Sequence, residues 1–278
     1  MQVVKRIFNF YLNSSIHVAL VATSLVWVTL IEFNLDYDKD LFGFVFFASI
    51  SGYNFVKYFG VAKFHHRRLA NWLKVIQIFS FVAFLGMCYY AFYLNTKALI
   101  LIAILGVVTF FYAIPIMIPK HYLFDDHKNL RQIGGLKVYL IALVWTFTTV
   151  FLPVVNNDIS INSDVIFTGA QRFCFVLALM LPFEIRDLNY DSIKLATIPQ
   201  KIGIKKTKIF GVFLLVVFVL LNYFKDELSS ALIISTISIS ILTLVFIVIS
   251  HKDQSKYHSS FWVESIPMVW LLTLILLR

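Results

Sequence analysis

Charge is scarce in this chain: only 14% of its 278 residues are Asp, Glu, Lys or Arg, against 60% hydrophobic residues that include 29 Phe. With a mean hydropathy of +0.83, that scarcity excludes a soluble globular domain and identifies a polytopic membrane protein. Cysteine is nearly lacking too. Cys88 and Cys174 both sit in apolar runs, where they read as small core residues, and two make neither a disulfide framework nor a zinc site. No small-residue cleavage signature follows Lys5 and Arg6, so the first apolar run is expected to be a retained helix. No low-complexity tract, linker or soluble insert interrupts the pattern, and residues 1–278 are expected to form a single transmembrane domain. Acids are fewer than bases, 15 against 24, for a net charge of +9. In a soluble protein that excess would point to nucleic acid. Here the bases report sidedness in the bilayer, and no nucleic-acid partner is expected.

What is present is a series of apolar runs long enough to cross about 30 Å of hydrocarbon. Nine spans are predicted, at 15–33, 41–62, 70–94, 97–119, 133–155, 164–183, 207–224, 230–250 and 260–277. An odd number places the termini on opposite sides. With the N-terminus cytoplasmic, the outer segments hold only Lys39, Lys97, Lys225 and Arg278, while sixteen of the 24 bases fall inside and four lie within spans. The positive-inside rule therefore predicts a cytoplasmic N-terminus and a C-terminus on the opposite side. The inner connections near 63–69, 120–132 and 184–206 follow spans two, four and six and are expected to cap one cavity.

Ionisable groups at bilayer depth are functional candidates whose partners should be sought. Lys57 lies near the inner end of span two, with Asn54 one turn earlier. Snorkelling to the interface and a place at the cavity mouth both fit Lys57; interhelical hydrogen bonding fits Asn54. Arg172, deep in span six, is expected to pair with a carboxylate or carbonyls. Glu32, Lys137 and Glu264 lie near span ends and read as interfacial, and the adjacent His65 and His66 point apart on a helix and make no metal site. Tyr53, Tyr58 and Tyr112 stand at inner span ends, where packing and cation–π stabilisation of a cationic intermediate are both open.

Acid is concentrated in one stretch, 181–203, LPFEIRDLNYDSIKLATIPQKIG. If the helix of span six continues, Asp187 and Asp191 stand at i and i+4 on one face with Glu184 one turn earlier. Two readings fit this spacing. One is a divalent-cation site, since Mg²⁺ takes one or two carboxylates and fills its remaining positions with water and phosphate oxygens. The other is an acidic helix end neutralised by Arg186 and Lys194.

These residues resemble the UbiA superfamily of intramembrane prenyltransferases over nearly the whole chain. The family's second motif, of pattern DxxDxxxD, resembles Glu184, Asp187 and Asp191, followed by Thr197, Ile198 and Pro199 and then by Lys201, Gly203 and Lys205. The stretch at 129–153 is similar to the family's fifth helix and its approach. The resemblance implies an all-α fold of nine transmembrane helices around a central cavity. It also implies a prenyl diphosphate bound through Mg²⁺, ionisation to an allylic cation, and capture by a lipophilic acceptor. By this resemblance Glu184, Asp187 and Asp191 are the metal ligands, and Asp187 and Asp191 the catalytic pair. The first motif, NDxxDxxxD, meets NFVKYFGVA from Asn54, with Phe55, Tyr58 and Ala62 at the Asp positions and no carboxylate. The base expected about five residues after Tyr112 arrives only at Lys120. Bases such as Lys57, Lys120, Arg186 and Lys194 would then have to offset the charge a second metal normally supplies. They join Asn54 and Tyr112 as expected substrate contacts. The resemblance leaves two functions open: prenyl transfer, or a noncatalytic protein that keeps the cavity for an isoprenoid lipid or serves as an assembly partner.

Overall fold

The computed structural model describes residues 2–64, 71–114, 135–189, 195–226 and 229–278, and among them every regular element is helical. In chain order these are α1 (Gln2–Asn13), α2 (Ile16–Glu32), α3 (Lys39–Phe64), α4 (Asn71–Ala91), α5 (Thr96–Ala113), α6 (Lys137–Thr146), a π-helical segment (Phe147–Phe151), α7 (Leu152–Asn156), α8 (Ser163–Asp187), α9 (Ile198–Leu220), a 3₁₀ turn (Leu221–Phe224), α10 (Ser230–Ile249), a second π-helical segment (His258–Val263) and α11 (Ile266–Leu277).

Seven stretches, from Leu73–Ala91 to His258–Leu277, are long and apolar enough to cross a membrane, and α1 with α2, bent by 53° at their junction, makes an eighth. Helix α3 has 26 residues, about 39 Å at 1.5 Å per residue, and its polar Asn54 and Lys57 lower an otherwise apolar run. Seven to eight such spans among the described residues approximate the nine predicted; span five is built from α6, a π segment and α7, and span nine from a π segment and α11. The protein is thus a multi-pass membrane protein. Ile78, Phe81, Ile209, Phe213 and Ile241 lie exposed on the outer surfaces of their helices, as lipid-facing side chains should.

Two elements depart from the predicted boundaries. Helix α1 lies ahead of span one, and the apolar residues Val4, Ile7, Phe8 and Tyr11 recur at helical spacing within it. The inner connection 184–206 is partly helical: α9 begins at Ile198 with Pro199 in its first turn, and Gln200 accepts from the Thr197 N–H at 2.9 Å. The break that separates this turn from the span is Gly203, at φ 79° and ψ 160°, a conformation open essentially only to glycine. The expected caps 63–69 and 120–132 lie almost wholly outside the described residues.

The bundle interior is stapled by polar groups that sequence placed in spans. Pro153 has no N–H to give the carbonyl four residues earlier, that of Thr149, and Thr29 Oγ1 donates to it at 2.7 Å. Arg172 donates to the Leu25 carbonyl at 3.0 Å and to Thr29 Oγ1 at 3.2 Å, with the Trp270 ring 5.1 Å away. Arg172 therefore pairs with a carbonyl and hydroxyls, as expected. Glu32, read as interfacial, is enclosed at its helix end with Lys225, its salt-bridge partner, and accepts from Thr168 Oγ1 at 2.8 Å. The helix ends shared by Glu32 and Lys225 also carry the Lys97–Asp158 ion pair and an Asp38–Asn156–Asn95 hydrogen-bond chain. The predicted functional residues lie at the other end.

Candidate functional site

The start of α2 and the last turns of α3 are joined by a relay of side chains. Ser15, at a left-handed φ of 64° in the α1–α2 junction, accepts a hydrogen bond from Lys57 Nζ at 2.9 Å and donates to Asn54 Oδ1 at 2.8 Å. Asn54 Nδ2 donates in turn to the Ser14 carbonyl at 3.0 Å and to Ser80 Oγ of α4 at 2.8 Å. Asn54 is buried, and both ends of its amide are spent on interhelical bonds. Lys57 is different. Its side chain is exposed, with the Tyr53 ring 6.0 Å from Nζ. Its ammonium bonds back to the Ser15 hydroxyl of the α1–α2 junction instead of extending away from the bundle.

Aromatic side chains fill two of the three positions where the resembled first motif carries carboxylates, Phe55 and Tyr58. Phe55 stacks on Phe110 of α5 at 6.3 Å between centroids, and the Tyr58 hydroxyl donates to the Asn13 carbonyl at 2.9 Å. Tyr53 accepts from Trp145 Nε1 at 2.7 Å, and Tyr112 is buried nearby.

A second set of charged residues stands at the end of α8. Glu184 is buried and forms an ion pair of 2.9 Å with Lys137 at the start of α6, which gives the Lys137 ammonium a protein partner at the span end. Arg186 Nε donates to Asp187 Oδ1 at 2.7 Å, Nη1 donates to Ser260 Oγ at 3.0 Å, and the guanidinium lies 5.3 Å from the Phe183 ring. Gly135, at φ 81°, donates its N–H to the Leu195 carbonyl at 2.9 Å, tying the approach to α6 against the approach to α9. The helix does not run on to Asp191 as the i, i+4 argument assumed. It ends at Asp187, followed by a turn in which Asn189 donates to Asp253 at 3.3 Å. Asp191, Lys194 and Lys120 lie outside the described residues. Among the described residues no group of three or more His, Cys, Asp or Glu side chains could hold a metal ion. A polar cleft of about 600 Å³ opens beside Arg186 and Asp187, with Lys252, Asp253 and Lys256 on its far wall.

Sequence reasoning missed Glu264. It was assigned to the interface, but it lies among protein at the start of span nine, within electrostatic reach of Lys57 of α3 and Arg186 of α8. Two contacts place it. The Pro182 carbonyl accepts from Gln254 Nε2 at 2.8 Å, and Arg186 reaches Ser260, so α8 fixes the π-helical segment just before Glu264. The signal that could have found it was its acid in an apolar run, read with the possibility that the helix enters the bundle one turn earlier.

No protein-family model matches the chain, and no curated protein matches it. Two solved structures do. A UbiA homolog from Aeropyrum pernix K1 superposes with a TM-score of 0.66 at 14% identity, covering 93% of this chain and 97% of its own. A digeranylgeranylglyceryl phosphate synthase superposes with a TM-score of 0.58 at 17% identity, covering 98% of each chain. Near-complete mutual coverage at these TM-scores shows that this chain has the fold of these two structures.

Proposed function

We propose that this protein is an intramembrane prenyltransferase that moves a prenyl group from its diphosphate to a lipophilic acceptor. The observation that carries the reading is the convergence of Lys57, Arg186, Asp187 and Glu264 on one end of a UbiA-fold helix ring. Phosphate recognition needs cations, and Lys57 and Arg186 supply two from different helices. An apolar chain needs an apolar wall, and Tyr53, Phe55, Phe110 and Trp145 supply aromatic faces beside those cations.

The carboxylates suit one magnesium ion better than two. Glu184 is committed to Lys137, while the Asp187 side chain is about a quarter exposed at 24%, beside the polar cleft. Asp187 and Asp191 are the residues proposed to hold the ion, and Glu184 to brace the helix end behind them. Mg²⁺ when bound would neutralise charge on the departing diphosphate. Lys57 and Arg186 would hold the remaining phosphate oxygens, and the enclosing helices would keep water from the allylic cation. By the distribution of bases, the site opens to the cytoplasm with the N-terminus on the same side.

A second reading has an observation of its own. Phe55 and Tyr58 are packed where a second acidic cluster would stand, which favours a noncatalytic protein that holds an isoprenoid lipid. Purified protein incubated with Mg²⁺ and geranyl, farnesyl or geranylgeranyl diphosphate decides between them. Mg²⁺-dependent diphosphate release that requires Asp187 supports the transferase. Ligand-induced stabilisation with no release from any of the three establishes the binding protein.

A further inference from the structure

Helix α1 has 12 residues, about 18 Å at 1.5 Å per residue, too short to cross the hydrocarbon alone, and it meets α2 at a bend of 53°. At helical spacing Val3, Val4, Ile7, Phe8, Phe10 and Tyr11 fall on one side, and Lys5, Arg6 and Asn9 on the other. The C-terminal half of the apolar side is taken up by the bundle. Phe8 packs on Phe261 of the second π-helical segment at 5.2 Å and on Tyr257 at 5.6 Å, and Phe10 packs on Phe79 of α4 at 5.7 Å. The Tyr11 hydroxyl is hydrogen-bonded to His17 Nδ1 of α2 at 2.7 Å, and Tyr58 of α3 donates to the Asn13 carbonyl. These contacts set which way the helix faces.

The N-terminal half carries the same side past the edge of the bundle. Val3, Val4 and Ile7 are 67%, 71% and 65% exposed. Beside Phe79, the α4 side chains Val75, Ile78 and Val82 are exposed too, so the overhanging apolar side continues a lipid-facing surface. Lys5 and Arg6 are exposed and make no ion pair among the described residues, and α1 contains no acid. A short helix with an apolar strip on one side and unopposed cations on the other fits the headgroup zone of a bilayer, where long basic side chains reach the phosphates. We propose that α1 is an interfacial anchor that docks on an anionic phospholipid leaflet, with Val3, Val4 and Ile7 among the acyl chains and Lys5 and Arg6 on headgroup phosphates. A net negative surface favours each such base about fivefold, an advantage that a zwitterionic surface lacks. The docking does not depend on the transferase reading.

The test uses full-length protein in nanodiscs of phosphatidylcholine alone or mixed equally with phosphatidylglycerol. After Cys88 and Cys174 are replaced by Ser, spin labels are attached through Val4→Cys, Arg6→Cys or Ile7→Cys, one at a time. Oxygen, which concentrates in hydrocarbon, should relax the labels at 4 and 7 more than the label at 6, and a water-soluble nickel chelate should do the reverse. Phosphatidylglycerol should shift the labels at 4 and 7 deeper, and concentrated salt should undo that shift, since exposed charges are screened. Adding Lys5→Gln with Arg6→Gln to the Val4→Cys and Ile7→Cys proteins should abolish it. Equal access of both reagents to all three positions overturns the docking. Exclusion of both reagents from 4 and 7 also overturns it, because a second copy or another protein then covers the face. A depth that phosphatidylglycerol does not change, or a shift that survives Lys5→Gln with Arg6→Gln, overturns the anionic headgroup contact.

Discussion

Glu184 and Lys137 form a buried ion pair at 2.9 Å, one partner at the end of α8 and the other at the start of α6, with side chains only 3% and 17% exposed. A carboxylate so placed holds two helices together, and its neighbour Asp187, one turn on, is the one that opens to the polar cleft. Stabilisation by Mg²⁺ and farnesyl diphosphate should therefore vanish in Asp187→Asn and persist in Glu184→Gln, within about threefold in apparent affinity. Lys137→Met alone should lower stability by about 1–3 kcal/mol, because it removes a charge-assisted hydrogen bond from the buried Glu184 carboxylate. Thermal unfolding in detergent with and without ligand reads both effects. Equal loss of ligand response in the two acid variants would put Glu184 among the metal ligands instead.

Lys57 and Asn54 sit on one helix and share the Ser15 hydroxyl, but the bonds they make separate their roles. Asn54→Ala removes three interhelical bonds and should cost about 1–3 kcal/mol of stability with little change in ligand affinity. Lys57→Ala should do the reverse: unfolding nearly unchanged, and diphosphate binding weakened by about 1–3 kcal/mol. Isothermal titration with farnesyl diphosphate, alongside unfolding, distinguishes the two. A Lys57→Ala variant that binds like the parent contradicts the proposed phosphate contact.

Gly203 stands at φ 79° and ψ 160° with open space where a Cβ would project. Substitution is thus limited by backbone strain and not by crowding. Gly203→Ala should destabilise by about 1–3 kcal/mol, the range for a residue held in this region. Gly203→Ser should cost the same within error, since neither side chain meets an obstacle. A large difference between the two would mean that contacts, not the dihedral, set the cost.

At the far end, Lys225 and Glu32 are enclosed together. Lys225→Met should destabilise by about 3–5 kcal/mol, and adding Glu32→Gln should recover most of that loss, because the stranded charge is what costs. Ligand binding should be untouched in either variant. Additive losses in the double variant, measured by chemical unfolding, would show that the pair itself contributes net stability.

The distribution of bases predicts that Asp158 and Lys252 lie on opposite sides of the bilayer. Both are exposed, Asp158 in its ion pair with Lys97 and Lys252 beside the polar cleft. Cysteines introduced at the two positions, after removal of Cys88 and Cys174, should react with a membrane-impermeant maleimide from opposite faces of sealed vesicles. Labelling from one face refutes the span count between them.

Hydrophobic run length by itself determined that this chain crosses a membrane in many passes, because hydrocarbon thickness sets how many apolar residues a helix needs. Local spacing also picked out Glu184, Asp187, Lys57 and Arg186 at the helix ends that carry the candidate site, and Arg172 as an interior staple. Partners were another matter. Lys137 and Glu184, or Lys57 and Glu264, are far apart in sequence, and periodicity fixes which face of a helix a side chain occupies without saying which helix lies opposite. Only packing brought the Lys137 ammonium to Glu184, leaving Asp187 as the exposed acid. Only the packing of the segment before span nine, pinned by the Pro182 carbonyl and Arg186, set Glu264 within electrostatic reach of Lys57 and Arg186. A buried charge is defined by what surrounds it, and for these residues the surroundings come from helices that local pattern does not connect.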